Sequence, residues 1–305
     1  PVIQSPEQFA NAADAEFADG VGGIRAARVG EHVGPYVIET FLGPDGMTQH
    51  YRARHRWYRR VDAVTLAWVA LSLGSTYTAR VKRAASAREA IRHPHLARVH
   101  AGGTHGTPRL VWIAGERRAG PTLRTWLLKE GPFAPDVAIR LAAEVASAMH
   151  ALKGSGHGRF CVTPRDVLVT CGPSARVSEF SAEDFSHYLC GQGLFRENWY
   201  GPPEGYPESR STAFSLGLVL YEMVAGRALF PTAQDAMRFR GWRASRGTAG
   251  FGEVGARLDV LLAVDPELRP SVEALAEFLI TGRVRAWSSL DDAHGHGSGW
   301  TVRCR

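Results

Sequence analysis

Lysine is nearly missing from this 305-residue chain: Lys82, Lys129 and Lys153 are the only three among 36 Lys and Arg. The net charge of +6 is therefore carried by arginine. The arginines are dispersed, with no long basic run, so no nucleic-acid partner is expected. Arginine with abundant Ala and Gly fits a GC-rich bacterial coding sequence instead. Cysteine is scarce too. Cys161, Cys171, Cys190 and Cys304 form no C-x-x-C pair and no His/Cys cluster at zinc spacing, which argues against a zinc module and fits a reduced, cytoplasmic setting. No apolar run approaches the roughly 18 residues that span a bilayer, and no signal peptide is visible. The first residue is Pro rather than Met, so the chain is expected to be a piece of a longer protein.

What is present is ordinary for a globular protein: 45% hydrophobic and 22% charged residues, enough for one large or two smaller cores. Residues 1–33 are rich in Ala, Gly, Asp and Glu and read as an extension with a short helix around 6–18, then a linker. The tail from 282 to 305 includes a Gly/His stretch, His294 to Gly299, that reads as disordered. Between these ends strands come first and helices later. Val37–Leu42, His50–Arg54 and Ala63–Leu71 read as strands, Ser75–Arg92 as a helix closed by His93-Pro94, and Leu96–His100 and Leu110–Glu116 as two more strands. Asp136–Leu152 carries Val137, Leu141, Val145, Ala148 and Leu152 on one helical stripe, and Ala213–Ala225 is apolar nearly all round, as a buried central helix would be. Leu258–Val264 and Ser271–Ile280 complete the pattern. The fold class is therefore α+β: a small five-stranded antiparallel lobe with one helix, residues 34–117, and a larger, mainly helical lobe, residues 118–281.

From Gly34 to Ile280 the order and spacing of many short matches resemble the bacterial eukaryotic-type Ser/Thr protein kinases. Leu42-Gly43-Pro44-Asp45-Gly46-Met47 resembles the glycine-rich loop, and His93-Pro94-His95-Leu96 the turn after the small lobe's helix. Glu116 falls at the hinge, and Gly120-Pro121-Thr122-Leu123 resembles the segment just past it. Pro202-Pro203-Glu204 resembles the Ala-Pro-Glu closing the activation segment. Phe214-Ser215-Leu216-Gly217 and Leu220-Tyr221-Glu222-Met223 match the central helix, and Asp265-Pro266 with Arg269-Pro270 the late signature. The resemblance implies a bilobal kinase-like fold.

It does not imply kinase chemistry, because the residues that perform phosphoryl transfer are replaced. Gly43 and Gly46 remain in the phosphate-covering loop, but Asp45 and Thr48 stand where two further glycines would be. Thr65 takes the place of the phosphate-gripping lysine and Ala84 that of its glutamate partner, so both halves of an ion pair are lost together, consistent with the cost of burying one half alone. Cys161 replaces the catalytic Asp, Thr163 the catalytic-loop Lys, Phe160 the Arg that reads activation-loop phosphate, and Thr212 the central-helix Asp that anchors the loop. Asp166 and Glu179 replace the two metal-binding positions while keeping acidic oxygens. Framework positions Glu204 and Arg269, a buried ion pair in the family, are kept. The expectation is a non-enzymatic pseudokinase with weak or absent ATP and Mg binding, acting as a scaffold or regulator. Its partner would be a protein: a cognate active kinase, a phosphopeptide-binding module or another domain of its own chain. Two other readings stay open. One is an atypical enzyme or nucleotide- and metal-binding protein using Glu179 and Asp166. The other is a small-molecule sensor whose cleft is entered beside Gly115, a position that Trp112 could alternatively fill. In the small lobe, Trp57 and Tyr58 beside Arg54, Arg56, Arg59 and Arg60 read either as core filling or as part of a contact surface.

Overall fold

The computed structural model describes residues 27–45, 48–58, 64–69, 75–105, 110–116, 120–153, 161–170, 172–178, 200–204, 210–230, 235 and 251–283. The expected helix at 6–18, the tail from 284, Gly46, Phe160, Glu179 and most of the segment 182–201 lie outside these residues.

The small lobe is a meander with one inserted helix. Its elements are β1 (His32–Val33), β2 (Tyr36–Asp45), β3 (Thr48–His55), β4 (Val64–Val69), α1 (Ser75–Glu89), β5 (Val99–His105) and β6 (Leu110–Gly115). All strand pairs are antiparallel, in the spatial order β1-β2-β3-β4-β6-β5. The five strands read from the sequence are present, and the two-residue β1 lengthens the sheet at its β2 edge. The fourth of them runs over 99–105 rather than 96–100. Gly102 and Gly103 sit in this strand where neighbours press close: a Cβ at Gly102 would lie 2.6 Å from Cβ of Ala85 on α1, and one at Gly103 would lie 2.5 Å from the Trp112 ring.

Strand alternation splits this lobe into two faces. Ile113 faces α1, whereas Trp112 and Ala114 join Val33, Tyr36, Ile38, Tyr51 and Ala53 in a separate apolar cluster on the other face. Residues 27–33 help cover that cluster. Ala27 is buried in it, and its backbone N–H donates to the Tyr51 hydroxyl at 2.9 Å.

The large lobe is built on α2 (Leu123–Glu130), α3 (Pro135–Lys153), the hairpin β7 (Val167–Thr170) and β8 (Ser174–Val177), α4 (Ser211–Ala225), α5 (Glu253–Leu261) and α6 (Val272–Thr281). The central helix α4 is buried from Ser211 through Met223, as its apolar composition predicts. Gly217 lets α5 approach it closely, since a Cβ there would come 2.9 Å from Cβ of Leu261. α5 begins five residues before the Leu258 start that periodicity suggested. Helix α2 was not expected, although Thr122 caps it through its hydroxyl. The lobes meet where the α1–β5 connection touches the β7–β8 hairpin: Ala97 and Val177 pair through Ala97 N–H to the Val177 carbonyl at 2.8 Å.

Candidate functional site

The resemblance to kinases assigns the site to the region between β2–β3, the Gly115–Glu116 hinge and the 161–166 loop with β7 and β8. Gly43, at φ +123°, pairs across β2–β3 with His50, which is buried. A positive φ of this size is one that glycine adopts without steric cost. Thr65 lies on β4, a central strand, its backbone opposite Arg52 of β3 and Gly115 of β6. Ala84 lies on α1, the helix that packs on β5 through Ala85. The two positions therefore sit on the elements that the resemblance assigns them to. A threonine and an alanine there bring neither cation nor carboxylate.

Position 115 is settled by strand parity. Gly115 lies on the Ile113 face of β6, two residues apart, while the Trp112 ring lies over Gly34 and Gly103 on the opposite face. Trp112 does not fill the space beside Gly115. Glu116 follows directly, and its carboxylate forms an ion pair with Arg176 of β8. Arg176 also donates to the Leu96 carbonyl at 3.1 Å. A hinge carboxylate is thus tied to the floor of the cleft by an arginine that sequence reasoning did not single out. Nothing local in the sequence links residues 116 and 176.

A second arginine is built into the same floor. Arg88 follows Ala84 by one turn of α1, is only 4% exposed, and donates to the Ser178 carbonyl at 2.8 Å. Ser178 immediately precedes Glu179. The helix that lacks its glutamate is therefore fastened to the end of β8 by a charge-assisted hydrogen bond, a class about twice as strong as a neutral one.

The loop that should carry catalysis is closed on itself. Cys161 is 1% exposed, and its thiol donates to the Tyr200 carbonyl at 3.1 Å. Asp166 is buried, and its Oδ2 accepts from both the Thr163 N–H and the Thr163 hydroxyl at 2.8 Å. Asp166 N–H returns a bond to the Thr163 carbonyl, and its own carbonyl accepts from Ser178 N–H. The structure brings Thr163 and Asp166 together as a turn-stabilising pair. Among the described residues no three His, Cys, Asp or Glu side chains gather as a metal site would need. Thr212 stands where the resemblance puts the acid that anchors this loop. Ser215, one turn further along α4, accepts from Val162 N–H at 3.2 Å and donates to the Thr212 carbonyl, so the loop is held by a hydroxyl.

The framework pair is intact. The Arg269 guanidinium meets both Glu204 carboxylate oxygens, at 2.5 and 3.0 Å, donates to the Ala263 and Val264 carbonyls, and lies 4.8 Å over the Phe214 ring. A buried acid, Glu222 of α4, is paired with Arg124 of α2 at 2.9 Å and accepts from the Tyr200 hydroxyl. These two sites fasten both ends of residues 200–204 to the helical lobe.

Comparison with known proteins agrees with this geometry. Ser/Thr protein kinase PknE of Mycobacterium tuberculosis (strain ATCC 25618 / H37Rv) is 26% identical over 211 residues, 67% of this chain and 37% of that protein. Ser/Thr protein kinase PknH of Mycobacterium bovis is 27% identical over 207 residues, 66% of this chain and 34% of that protein. The chain is a homologue of the bacterial eukaryotic-type Ser/Thr protein kinases. Its kinase-like fold is shared with the PknI kinase domain of M. tuberculosis, which superposes with a TM-score of 0.64 at 19% identity over 84% of this chain and 99% of that one. The chain spans little more than a third of the length of the PknE and PknH relatives. No family model matches it. The kinase-like α+β fold carries the Glu204–Arg269 tie in full, whereas Thr65, Ala84, Cys161 and Thr163 bring no phosphoryl-transfer group to the cleft.

Proposed function

We propose that this kinase-fold chain is a pseudokinase that works by binding a protein partner rather than by transferring phosphate. The observation that carries the reading is Cys161. At the position resembling the catalytic Asp, its thiol is buried and already donates to the Tyr200 carbonyl. A general base must reach the substrate hydroxyl and take its proton; a buried neutral thiol is far too weak a base for that. The Thr163–Asp166 bonds support the reading, because one carboxylate oxygen on the metal-binding side of the loop is committed to the loop itself. So does Thr65, which supplies no cation to the phosphates. The relatives named above are Ser/Thr kinases; the partner of a degenerate homologue would be an active kinase, a phosphopeptide-binding module or another domain of its own chain.

A nucleotide panel tests it. The melting temperature, followed with ATP, ADP and GTP with and without Mg²⁺ or Mn²⁺, should respond weakly or not at all, because stabilisation scales with the logarithm of ligand over Kd. ATP-dependent phosphorylation that is lost in a Glu179→Ala variant would overturn the proposal in favour of an atypical enzyme using Glu179 and Asp166. A second reading is favoured by Trp112 lying on the far face from Gly115: the cleft then serves a small-molecule ligand. Native mass spectrometry of the purified chain separates the two, since a sensor should carry a bound mass that a Gly115→Leu variant loses.

A further inference from the structure

The turn after β3 is the most exposed aromatic surface among the described residues. Trp57 is 69% and Tyr58 64% exposed, which excludes the core-filling reading of both. They are nevertheless held in place. His55 Nδ1 accepts from Trp57 N–H at 3.3 Å and from Tyr58 N–H at 3.4 Å. Its ring lies 5.6 Å from the Trp57 ring and 4.7 Å from that of Tyr58, and it is backed by buried Tyr36 at 5.1 Å. Arg56 lies 5.5 Å over the Trp57 ring. Rings and guanidinium thus form a preorganised shelf, the kind of surface that loses little entropy on docking.

The shelf has charge to spare. Glu39, the nearby carboxylate, is committed to Arg52 and Arg54. Arg56 has no carboxylate partner among the described residues, and Arg59 and Arg60 follow in sequence. The chain itself carries the complement. Residues 7–19 hold Glu7, Asp14, Glu16 and Asp19 with Phe9 and Phe17, and no Lys or Arg precedes Arg25. This segment joins the small lobe at Ala27, bonded to Tyr51 of the same strand that leads to the shelf. From Tyr51 to Trp57 a strand covers about 20 Å, and the ten residues from Ala27 back to Phe17 reach about 33 Å.

We propose that the His55–Arg56–Trp57–Tyr58 shelf docks the chain's own acidic segment, residues 7–19, through carboxylate–guanidinium pairing and Phe-on-aromatic packing. This holds whether or not the cleft transfers phosphate.

Glu-specific proteolysis of the full chain tests it, with cleavage after Glu16 as the readout. The wild-type chain should be cut about tenfold more slowly than an Arg56→Glu, Trp57→Ala variant, because cutting requires the undocked state. Both changes are on the surface, so the melting temperature should fall by no more than the few degrees that losing a tenfold docking equilibrium costs; a cooperative transition within that range separates lost docking from lost fold. Protection should return when Asp14→Arg and Asp19→Arg are added to Arg56→Glu, restoring opposite charges. Equal cutting of wild type and variant overturns the proposal. Protection that disappears when the protein is diluted about a hundredfold also overturns it, since a docked tether acts at a fixed effective concentration and such loss would assign the shelf to a second copy. Binding of the wild-type chain to phosphatidylglycerol vesicles with no effect on Glu16 cutting would give the shelf to an anionic lipid surface and overturn it as well.

Discussion

An arginine is built into each half of this molecule, Arg269 in the helical lobe and Arg88 on α1, and the two are held differently. In the helical lobe, Arg269 binds Glu204 through two guanidinium nitrogens, bonds two backbone carbonyls and covers Phe214. At the cleft, β4 offers Thr65 and α1 offers Ala84, and the helix is fastened by Arg88 to the Ser178 carbonyl. One arrangement closes the backbone of the large lobe on itself. The other fastens α1 to the end of β8. Bonds among the protein's own groups are present in both regions, at Glu204–Arg269 and at Thr163–Asp166.

The largest effect should come from removing Arg269. Its side chain is fully buried, so Arg269→Ala leaves a cavity over Phe214 and strips the Ala263 and Val264 carbonyls of a donor, and should cost about 3–5 kcal/mol. That corresponds to a fall in melting temperature of about 10 °C for a domain of this size, measured by thermal or urea unfolding. Arg269→Lys should recover part of it but lose the bidentate geometry. A loss no greater than that of an ordinary surface substitution would break the comparison at its stronger end.

Next in size is Cys161→Asp, which returns the catalytic residue type to a place that has become part of the packing. A carboxylate cannot donate to the Tyr200 carbonyl as the thiol does, and burial penalises its charge, at a cost of about 3 kcal/mol at neutral pH. Burial pushes the new acid's pKa up, so the folded state binds the proton more tightly than the unfolded. The lost stability should be regained below the ordinary Asp range of about 3.9 and lost again as pH rises. No phosphoryl transfer should appear, because Thr65 and Ala84 are unchanged. Radiolabelled phosphate incorporated by this variant would show that the cleft was one residue short of activity.

The order of elements was legible because it rests on local signals. Ala213–Ala225 is apolar on every side and is the central helix; Leu141, Val145, Ala148 and Leu152 form one stripe and bury it. What failed to show is what depends on distant neighbours. The strand read over 96–100 runs on through Gly102 and Gly103, and only the close approach of Ala85 and Trp112 explains why glycines stand there. α2 is eight residues long and packs mainly through Leu123 and Leu127, too few apolar positions for a period to emerge, though the Thr122 cap was readable. At the site, the substitutions Thr65, Ala84, Cys161 and Thr163 could be located by counting from motifs. Arg88 reaching Ser178 and Glu116 reaching Arg176 join residues 90 and 60 positions apart and leave no mark on either segment.

The smallest expected effect probes the joint between the two regions, the 93–97 turn where the α1–β5 connection meets β8. His93 Nδ1 accepts from His95 N–H at 3.2 Å, and its Nε2 lies 3.1 Å from the Ser147 hydroxyl. This fixes the neutral ring, with its proton on Nε2, because a proton on Nδ1 would displace the His95 N–H. Desolvation lowers the His93 pKa, and the nearby His95 and His150 lower it further. The folded state therefore binds this proton less readily than the unfolded one. Stability that is complete above the ordinary value of about 6.5 should decline as pH falls below it. His93→Asn offers an acceptor to His95 N–H without titrating, so it should flatten the slope of urea midpoint against pH between neutrality and about 5.5. The Glu273 carboxylate of the large lobe is a control. Burial pushes it up, but its pairing with Lys153 outweighs that and holds it down at about 2. Its contribution is present above the ordinary value of 4.5 and is lost only as pH falls toward 2. The two windows do not overlap. If His93→Asn leaves the slope above pH 5.5 unchanged, the inter-lobe turn is not where the molecule senses that proton.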